Sequence, residues 1–588
     1  MTKSFYGTGR KYRLSMGHGR AFTLSALVFS TSHAFAQTAA QTQTSTDATA
    51  NQQVLQSWQV QTGQAGTVNA QGQVEFHGDA TLDVYRNSVT SPSGNAALTP
   101  LRTGTFEKIV LQGDLRSTSA EEDVTYAQGV MTGSNDRSVL ARYAGIINSV
   151  QIGRAGAGYQ LAFGDVVASF SGLSSNLGLR GATGTKELGA LTVTGFAGTV
   201  AESWEALTQR NALDGLAPRT RYLRDVVGAK ADYKVTNELS GFVTFQNYRD
   251  RSGSADLQSG VAALGGTIAS FGSKYVQGNF QVTAEVARST RQDHVANLDV
   301  AGNAAVIDAT YRLDSVAFRS GYHDLGANFA SLAQTSTSGI REWYAGADWT
   351  INPQWSYGID VRDAITRVAA VGESPASQSS LQYLTNRISY NVLDVPGLML
   401  SVSDTRNKGK DALLNSTVND ATQFVVAYGS SDWSANVLIG TGHARNPANA
   451  QADSSNRNWQ VSVGRNLSNA AAEKPADWTL NLQGTAGGQV QSLITTGTET
   501  RSSNVGLNLS ATSQAYGNLT FGWQHLRTTQ PVVGAPNLTT DVLNLDWTKT
   551  FGPQWTMKTF ARINRRNHGD ALLQVDERII GVQGVFKW

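Results

Sequence analysis

The chain has 588 residues, 40% of them hydrophobic and 16% charged, with 59 glycines, 11 prolines, 12 tryptophans and no cysteine. Lack of cysteine excludes a disulfide framework, a thiolate nucleophile and a cysteine-held metal, and the aromatic content excludes a disordered chain. The formal charge of +2 becomes −3 once the first 36 residues are set aside, leaving 42 Lys and Arg against 45 Asp and Glu, so the balance gives no case for nucleic-acid binding.

Residues 1–36 carry Lys3, Arg10, Lys11, Arg13 and Arg20, then the short apolar run "AFTLSALVFS", then Ala34-Phe35-Ala36. That order predicts a cleaved secretory signal peptide. Residues 37–72 begin "QTAAQTQTSTDATAN", without periodicity or bulk, and read as a flexible leader. No later stretch approaches 18 consecutive apolar residues, so no membrane helix is expected. From about Gln73 to the last residue, short segments alternate apolar and polar side chains, separated by Gly, Asn, Asp, Ser and Pro, which predicts a single strand-built domain over 73–588.

The segment 145–198 holds twelve glycines. Within it "FGDV…FSGL…LGLRG" resembles the strand-turn-strand of fimbrial ushers, whose Gly-Asp and Arg-Gly pairs lie on neighbouring strands facing the lumen. That resemblance implies Asp165 opposed to Arg180 in an export-type barrel; read from the residues alone, the glycines permit sharp bends at a barrel corner. Segments 172–186 and 206–219 are candidates for folding inward.

Further along, "DWTINPQWSYGIDV" and "DWTKTFGPQWTMKTF" each place tryptophans on both sides of a short break. Trp349, Trp355, Trp433, Trp478, Trp547 and Trp555 all stand beside such breaks. Tryptophan favours the boundary between lipid tails and headgroups, so these residues predict one rim of a membrane barrel, with turns at "INPQW", "FGPQW", "NELSG", "SSDWS" and "AYGNL". Longer polar connections, at 369–380, 408–420, 443–457 and 529–538, predict the opposite rim. The fold expected is all-β: one large antiparallel transmembrane barrel of roughly 22–26 strands, with short periplasmic turns and longer extracellular loops, because an open twisted sheet rarely exceeds ~10 strands.

Motifs for catalysis are sparse along the same chain. Of the six histidines after residue 36, none is spaced as a metal pair, and no HExxH, GxSxG, Walker or dinucleotide motif stands in a suitable context. His323 and Asp324 are adjacent strand residues and so point to opposite faces. No catalytic, cofactor or metal residue is assigned. Charged residues facing the lumen are the candidates for a constriction: Asp165, Arg180, Asp360, Arg362, Arg465, Asp546, Lys558 and Arg562.

The last residues, "IIGVQGVFKW", put Ile580, Val582, Phe586 and Trp588 on one face. An alternating apolar strand that ends on an aromatic residue resembles the closing strand of Gram-negative outer-membrane β-barrels. The resemblance implies an outer-membrane location, contact with membrane lipid, recognition of this strand by the barrel-insertion machinery, and envelope export partners. Closure requires pairing with an early strand near residues 73–86. The function expected is a channel or export pore for solutes or a polymer, polysaccharide or polypeptide. The competing readings are a non-transporting surface or adhesion barrel and a barrel hydrolase.

Overall fold

The computed structural model describes residues 74–588 except 92–98, 100, 120–122, 141–142, 202–203, 209–221, 256–262, 294–297, 334–337, 371–375, 412–414, 448, 469–476, 530–536 and 569–572. The expected signal peptide, the leader and most of the segment 206–219 lie outside the described residues.

The alternating segments become β1 (Val74–Thr90), β2 (Gly104–Thr118), β3 (Val124–Ser134), β4 (Gly145–Gly156), β5 (Tyr159–Ser169), β6 (Ser175–Leu188), β7 (Leu191–Val200), β8 (Arg224–Lys234) and β9 (Leu239–Asp250). There follow β10 (Leu264–Gln277), β11 (Phe280–Asp293), β12 (Leu298–Arg312), β13 (Val316–Leu325), β14 (Leu332–Ala333), β15 (Ile340–Thr350), β16 (Trp355–Val368), β17 (Ser377–Asn391) and β18 (Leu398–Lys410). The last are β19 (Ser416–Gly429), β20 (Trp433–Arg445), β21 (Ser454–Ser468), β22 (Trp478–Leu493), β23 (Glu499–Ser513), β24 (Gly517–Thr529), β25 (Leu538–Phe551), β26 (Trp555–His568) and β27 (Val575–Lys587). Among the described residues a short α-helix, α1 (Trp204–Leu207), follows β7.

The two-residue β14 pairs in parallel with the start of β6 and stands apart from the wall. The other 26 strands pair antiparallel in chain order, and β27 returns to β1 in the register Asp79↔Lys587 to Thr90↔Asp576. The early strand expected to receive the C-terminus does so. Closure pairs the first strand of the wall with the last, which is the condition for placing strands in lipid.

The alternation sets the two faces. Phe245 at 55%, Phe271 at 58%, Val505 at 45% and Ile580 at 65% exposure stand on the outside, and their neighbours Thr244, Ser270, Asn504 and Ile579 stand on the inside. A band of large apolar side chains around the whole circumference is unstable against water and suited to hydrocarbon. No helix among the described residues is long and apolar enough to cross a membrane. The molecule is a transmembrane β-barrel of the outer-membrane type.

One rim carries turns of two to six residues, apart from the connection 469–477; β1 starts and β27 ends there. All five expected turns fall on it. Trp349, Trp355, Trp433, Trp478, Trp547 and Trp555 flank it. Trp355 packs on Tyr390 at 4.5 Å, Trp555 on Phe586 at 4.7 Å, and the Trp547 Nε1–H donates to the Tyr516 carbonyl at 2.9 Å. Trp343, Tyr322 and Trp459 form a second set of half-exposed aromatics on the outer face, toward the long-loop rim. Several loops are shorter than the sequence suggests: 408–420 shrinks to 411–415 and 443–457 to 446–453. Pairing continues above the lipid, where the outer face turns charged at Asp404, Arg406 and Asp420, so the apolar alternation ends before the strands do.

The seam is locked by the last residue. Trp588 exchanges backbone hydrogen bonds with Gly78, at 3.0 Å and 3.3 Å, and its ring stacks on Phe76 at 6.2 Å. A Cβ on Gly78 would sit 2.7 Å from the Trp588 Nε1. Gly78→Leu is therefore expected to displace the ring and weaken closure by roughly 1–3 kcal/mol, part of the cost of removing a packed aromatic. The measurement is the temperature at which the compact, heat-modifiable electrophoretic band unfolds, and a drop is expected; an unchanged transition would remove Trp588 from the seam's energetics.

Candidate functional site: the lumen and its inward hairpin

The hairpin β5–β6 begins in the wall and leaves it. β5 pairs with β4 only from Tyr159 to Gly164, and β6 pairs with β7 only from Leu188 to Arg180. Beyond that level β5 and β6 pair only with each other and, at Ser175 and Asn176, with β14. The bend falls at Gly164 and Gly181, which face each other across the hairpin. Gly164 has φ +108°, a conformation L side chains rarely adopt, and a Cβ at either position would strike a neighbouring strand's backbone, Val150 or Ala197.

The free half of the hairpin lies on the inner wall. Val166, Ala168, Phe170, Leu177 and Leu179 cluster with Phe196, Val226, Tyr248 and Ile268. These last four occupy the inner face of β7–β10, one residue or three from the outward Val193, Val227, Phe245 and Phe271. At the tip, Leu173 joins Ala287, Ala304, Leu325 and Phe329, and the Ser171 hydroxyl donates to Glu285 Oε1 at 2.5 Å. A lumen filled only by water would leave these wall residues wet, yet Ile268 is fully buried and Tyr248 is 4% exposed. Burial of each large hairpin side chain contributes about 2 kcal/mol toward holding it there. Of the two segments expected to fold inward, 172–186 does so over its first half.

The departure of the hairpin leaves the upper part of β4 without a strand partner on that side. Two carboxylates cap it: Val150 N–H donates to Asp165 Oδ2 at 2.7 Å and Ile147 N–H donates to Glu205 Oε1 at 3.0 Å. α1 fills the notch, with Trp204 Nε1–H donating to Asp165 at 2.8 Å. Arg180 stands 5.8 Å from the Trp204 ring, donates to the Ala201 carbonyl and lies 3.5 Å from Asp165. Asp165 and Arg180 are directly opposed, as the usher-like pattern implies. Their side chains are only 16% and 9% exposed, so they organise the bend rather than facing open lumen.

A second feature runs along the inner face of β12–β17. His323 bridges Asp308 at 2.8 Å and Glu342 at 3.0 Å, and Arg362 Nε–H donates to Glu342 at 2.8 Å. One step toward the short-turn rim, Arg319 joins Asp360 and Asp348, and Arg387 donates to Asp348 at 3.1 Å. Glycines make room for this ladder: a Cβ on Gly346 would lie 2.5 Å from Asp360 Oδ1 and 2.8 Å from Arg319 Nε. Asp360 and Arg362 thus share the inner face, each held by a partner of opposite sign. Asp324, by contrast, binds Arg367, so it does not act with His323. The ladder's other members escape a sequence reading because their partners are set by register, 15 to 41 residues apart.

Near the seam, Asp546, Lys558 and Arg562 also face inward; Lys558 meets Asp546 at 3.2 Å and Arg562 lies over Phe560. Arg465 is a correction. It pairs across from Trp433 with its guanidinium 4.7 Å from that ring, on the outer face with Trp459 and Val463. Its neighbours Gly464 and Asn466, not Arg465 itself, have the inward parity.

No protein-family model and no curated protein matches the chain. Among solved structures, the chain is similar to OccK3 (OpdO) of Pseudomonas aeruginosa, at 12% identity and TM-score 0.31 over 63% of this chain and 96% of that one. It is similar also to OccAB4 of Acinetobacter baumannii, at 10% identity and TM-score 0.31 over 60% and 97%. The outer membrane protein OpdK of Pseudomonas aeruginosa gives 14% and 0.30 over 60% and 98%. At these scores the fold is carried by the strand register above.

Proposed function

We propose that the protein is a passage across the outer membrane for hydrophilic cargo bulkier than a small solute, narrowed by the β5–β6 hairpin. The observation that carries this is the closure of 26 strands around a polar inner face. At a strand spacing of ~4.8 Å and a tilt of ~40°, such a barrel is about 50 Å across between backbones. Barrels of ~16–18 strands already hold an aqueous channel, so a wall of this size serves small solutes only if something fills it. The hairpin and its loop partners cover the inner face of β7–β13; β15–β27 face the lumen opposite. In the same reading, the strand ending in Phe586 and Trp588 is the segment presented to the barrel-insertion machinery.

The purified full-length chain in a planar lipid bilayer is the test. Stable conductance steps are expected, larger than those of a barrel of ~16–18 strands. A protein that inserts and stays silent would favour the adhesion reading, in which the barrel is a scaffold for its loops.

A further inference from the structure

Seven consecutive strands, β18–β24, present no ionisable and no aromatic side chain to the lumen. Register fixes which residues these are: the odd positions of β18, the even positions of β20 and β21, the odd positions of β22, and so on round the wall. The inward set is Ser, Thr, Asn, Gln and Gly, with a few aliphatics. The same seven strands contain eleven Asp, Glu, Lys and Arg residues, among them Arg406, Arg457, Arg501 and Arg527, and all eleven have outward parity. A random division between faces does not empty one side. Asp404, Arg406 and Asp420 stand outward above the lipid, where they cost little, so the telling side is the inner one, which water fills and which carries no charge.

The surface has relief as well as composition. Four asparagines stand directly across from glycines: Asn458 from Gly440, Asn456 from Gly442, Asn504 from Gly487 and Asn508 from Gly522. In each pair the asparagine amide lies over the glycine, with Asn456 Oδ1 at 2.7 Å, Asn504 Oδ1 at 2.6 Å and Asn508 Oδ1 at 3.2 Å from where a Cβ would be. The amides are laid flat along the wall, each offering donors and acceptors together. The flanking walls differ: the ion-pair ladder lies on β12–β17 and the Asp546–Lys558 pair on β25–β26.

We propose that the cargo is an uncharged polyhydroxy chain, a neutral polysaccharide, and that the inner face of β18–β24 is the track it follows; this rests on reading the barrel as a passage. A charged polymer finds no counter-charge on this wall. Hydroxyl and ring-oxygen groups find amides that both donate and accept. Each contact is weak, about 1 kcal/mol net, and no aromatic platform adds stacking. A chain meeting many weak, similar contacts is guided without being held.

The experiment uses the full-length chain in planar bilayers, with three probes added to one side: linear dextran, polyethylene glycol of equal hydrodynamic radius, and dextran sulfate. Dextran is expected to cause partial blockades lasting about tenfold longer than those of polyethylene glycol, the factor one or two net hydrogen bonds give, and dextran sulfate blockades shorter than those of dextran. The triple variant Asn458→Leu, Asn504→Leu, Asn508→Leu is expected to bring dextran down to the polyethylene glycol value in channels that still conduct. The smaller Asn458→Ala, Asn504→Ala, Asn508→Ala variant, which removes the same amides without adding bulk, repeats the test with the same expected result should the leucine variant not fold. Equal residence of dextran and polyethylene glycol, longest residence of the sulfated polymer, or exclusion of dextran from a conducting channel overturns the neutral-glycan assignment alone. No conductance at all overturns the passage reading beneath it.

Discussion

Replacing residues 166–179 by a two-residue Asn-Gly turn is expected to raise single-channel conductance roughly 1.5- to 2-fold, because conductance follows open cross-section and the hairpin's free half lies within it. Asp165 and Arg180 are already a directly paired position, so the shortened hairpin ends where its bond to the wall ends. The capping of β4 by Asp165 and the Trp204 and Arg180 contacts are retained. Cells carrying this variant are expected to become sensitive to bulky hydrophilic antibiotics that the parent excludes. A gentler change tests the same idea without shortening the chain. Glu285→Gln together with Ser171→Ala removes the bond at the tip, and an increase in conductance fluctuation is expected with the apolar packing intact. An unchanged conductance in the folded shortened variant would mean that the hairpin is no constriction.

The ladder on β12–β17 gives the second large effect. Arg319→Gln removes the guanidinium that serves both Asp348 and Asp360, leaving Arg387 as the one described partner of Asp348. Both carboxylates are about two-fifths exposed to the lumen. A unit charge ~8 Å from a passing ion in water is worth ~0.5 kcal/mol, about a factor of two in permeability. The reversal potential in a salt gradient is expected to move toward cation preference by that factor, and Arg319→Lys to restore it in part. The effect is expected to shrink at high ionic strength, where the Debye length falls to about 3 Å. No shift at low salt would place the ladder away from the ion path.

Much of this is legible in the chain because the strand period is two. Tryptophans on either side of "INPQW" and "FGPQW" mark the short-turn rim, and the alternating end of "IIGVQGVFKW" marks the seam. Parity assigns Asp360, Arg362, Asp546, Lys558 and Arg562 to the inside, and it assigns Arg465 to the outside with Val461 and Val463. Weighing the charge of Arg465 above its position misplaces it. Glycine density around 164–181 signals a bend, and the consecutive Val166, Val167 and Ala168, apolar on both faces, fit a strand that has left the wall. Its destination is not legible, because Phe170 finds Phe196 and Leu173 joins Phe329, partners set by the folded wall rather than by spacing in the chain. The neutral wall is the reverse case: every residue of it can be read two by two along β18–β24, but its meaning depends on knowing that the seven strands are neighbours in one closed sheet.

The chain's lack of cysteine allows the most direct measurement. Gln423→Cys and Asn504→Cys place a thiol on the inner face, and Phe424→Cys and Val505→Cys place one on the outer, at adjacent positions of β19 and β23. In intact outer-membrane vesicles, a membrane-impermeant maleimide is expected to modify the first pair readily and to leave the second pair unmodified until detergent is added. Modification of the Phe424→Cys and Val505→Cys variants ahead of the other two, or of all four alike, would contradict a barrel with lipid outside and water within.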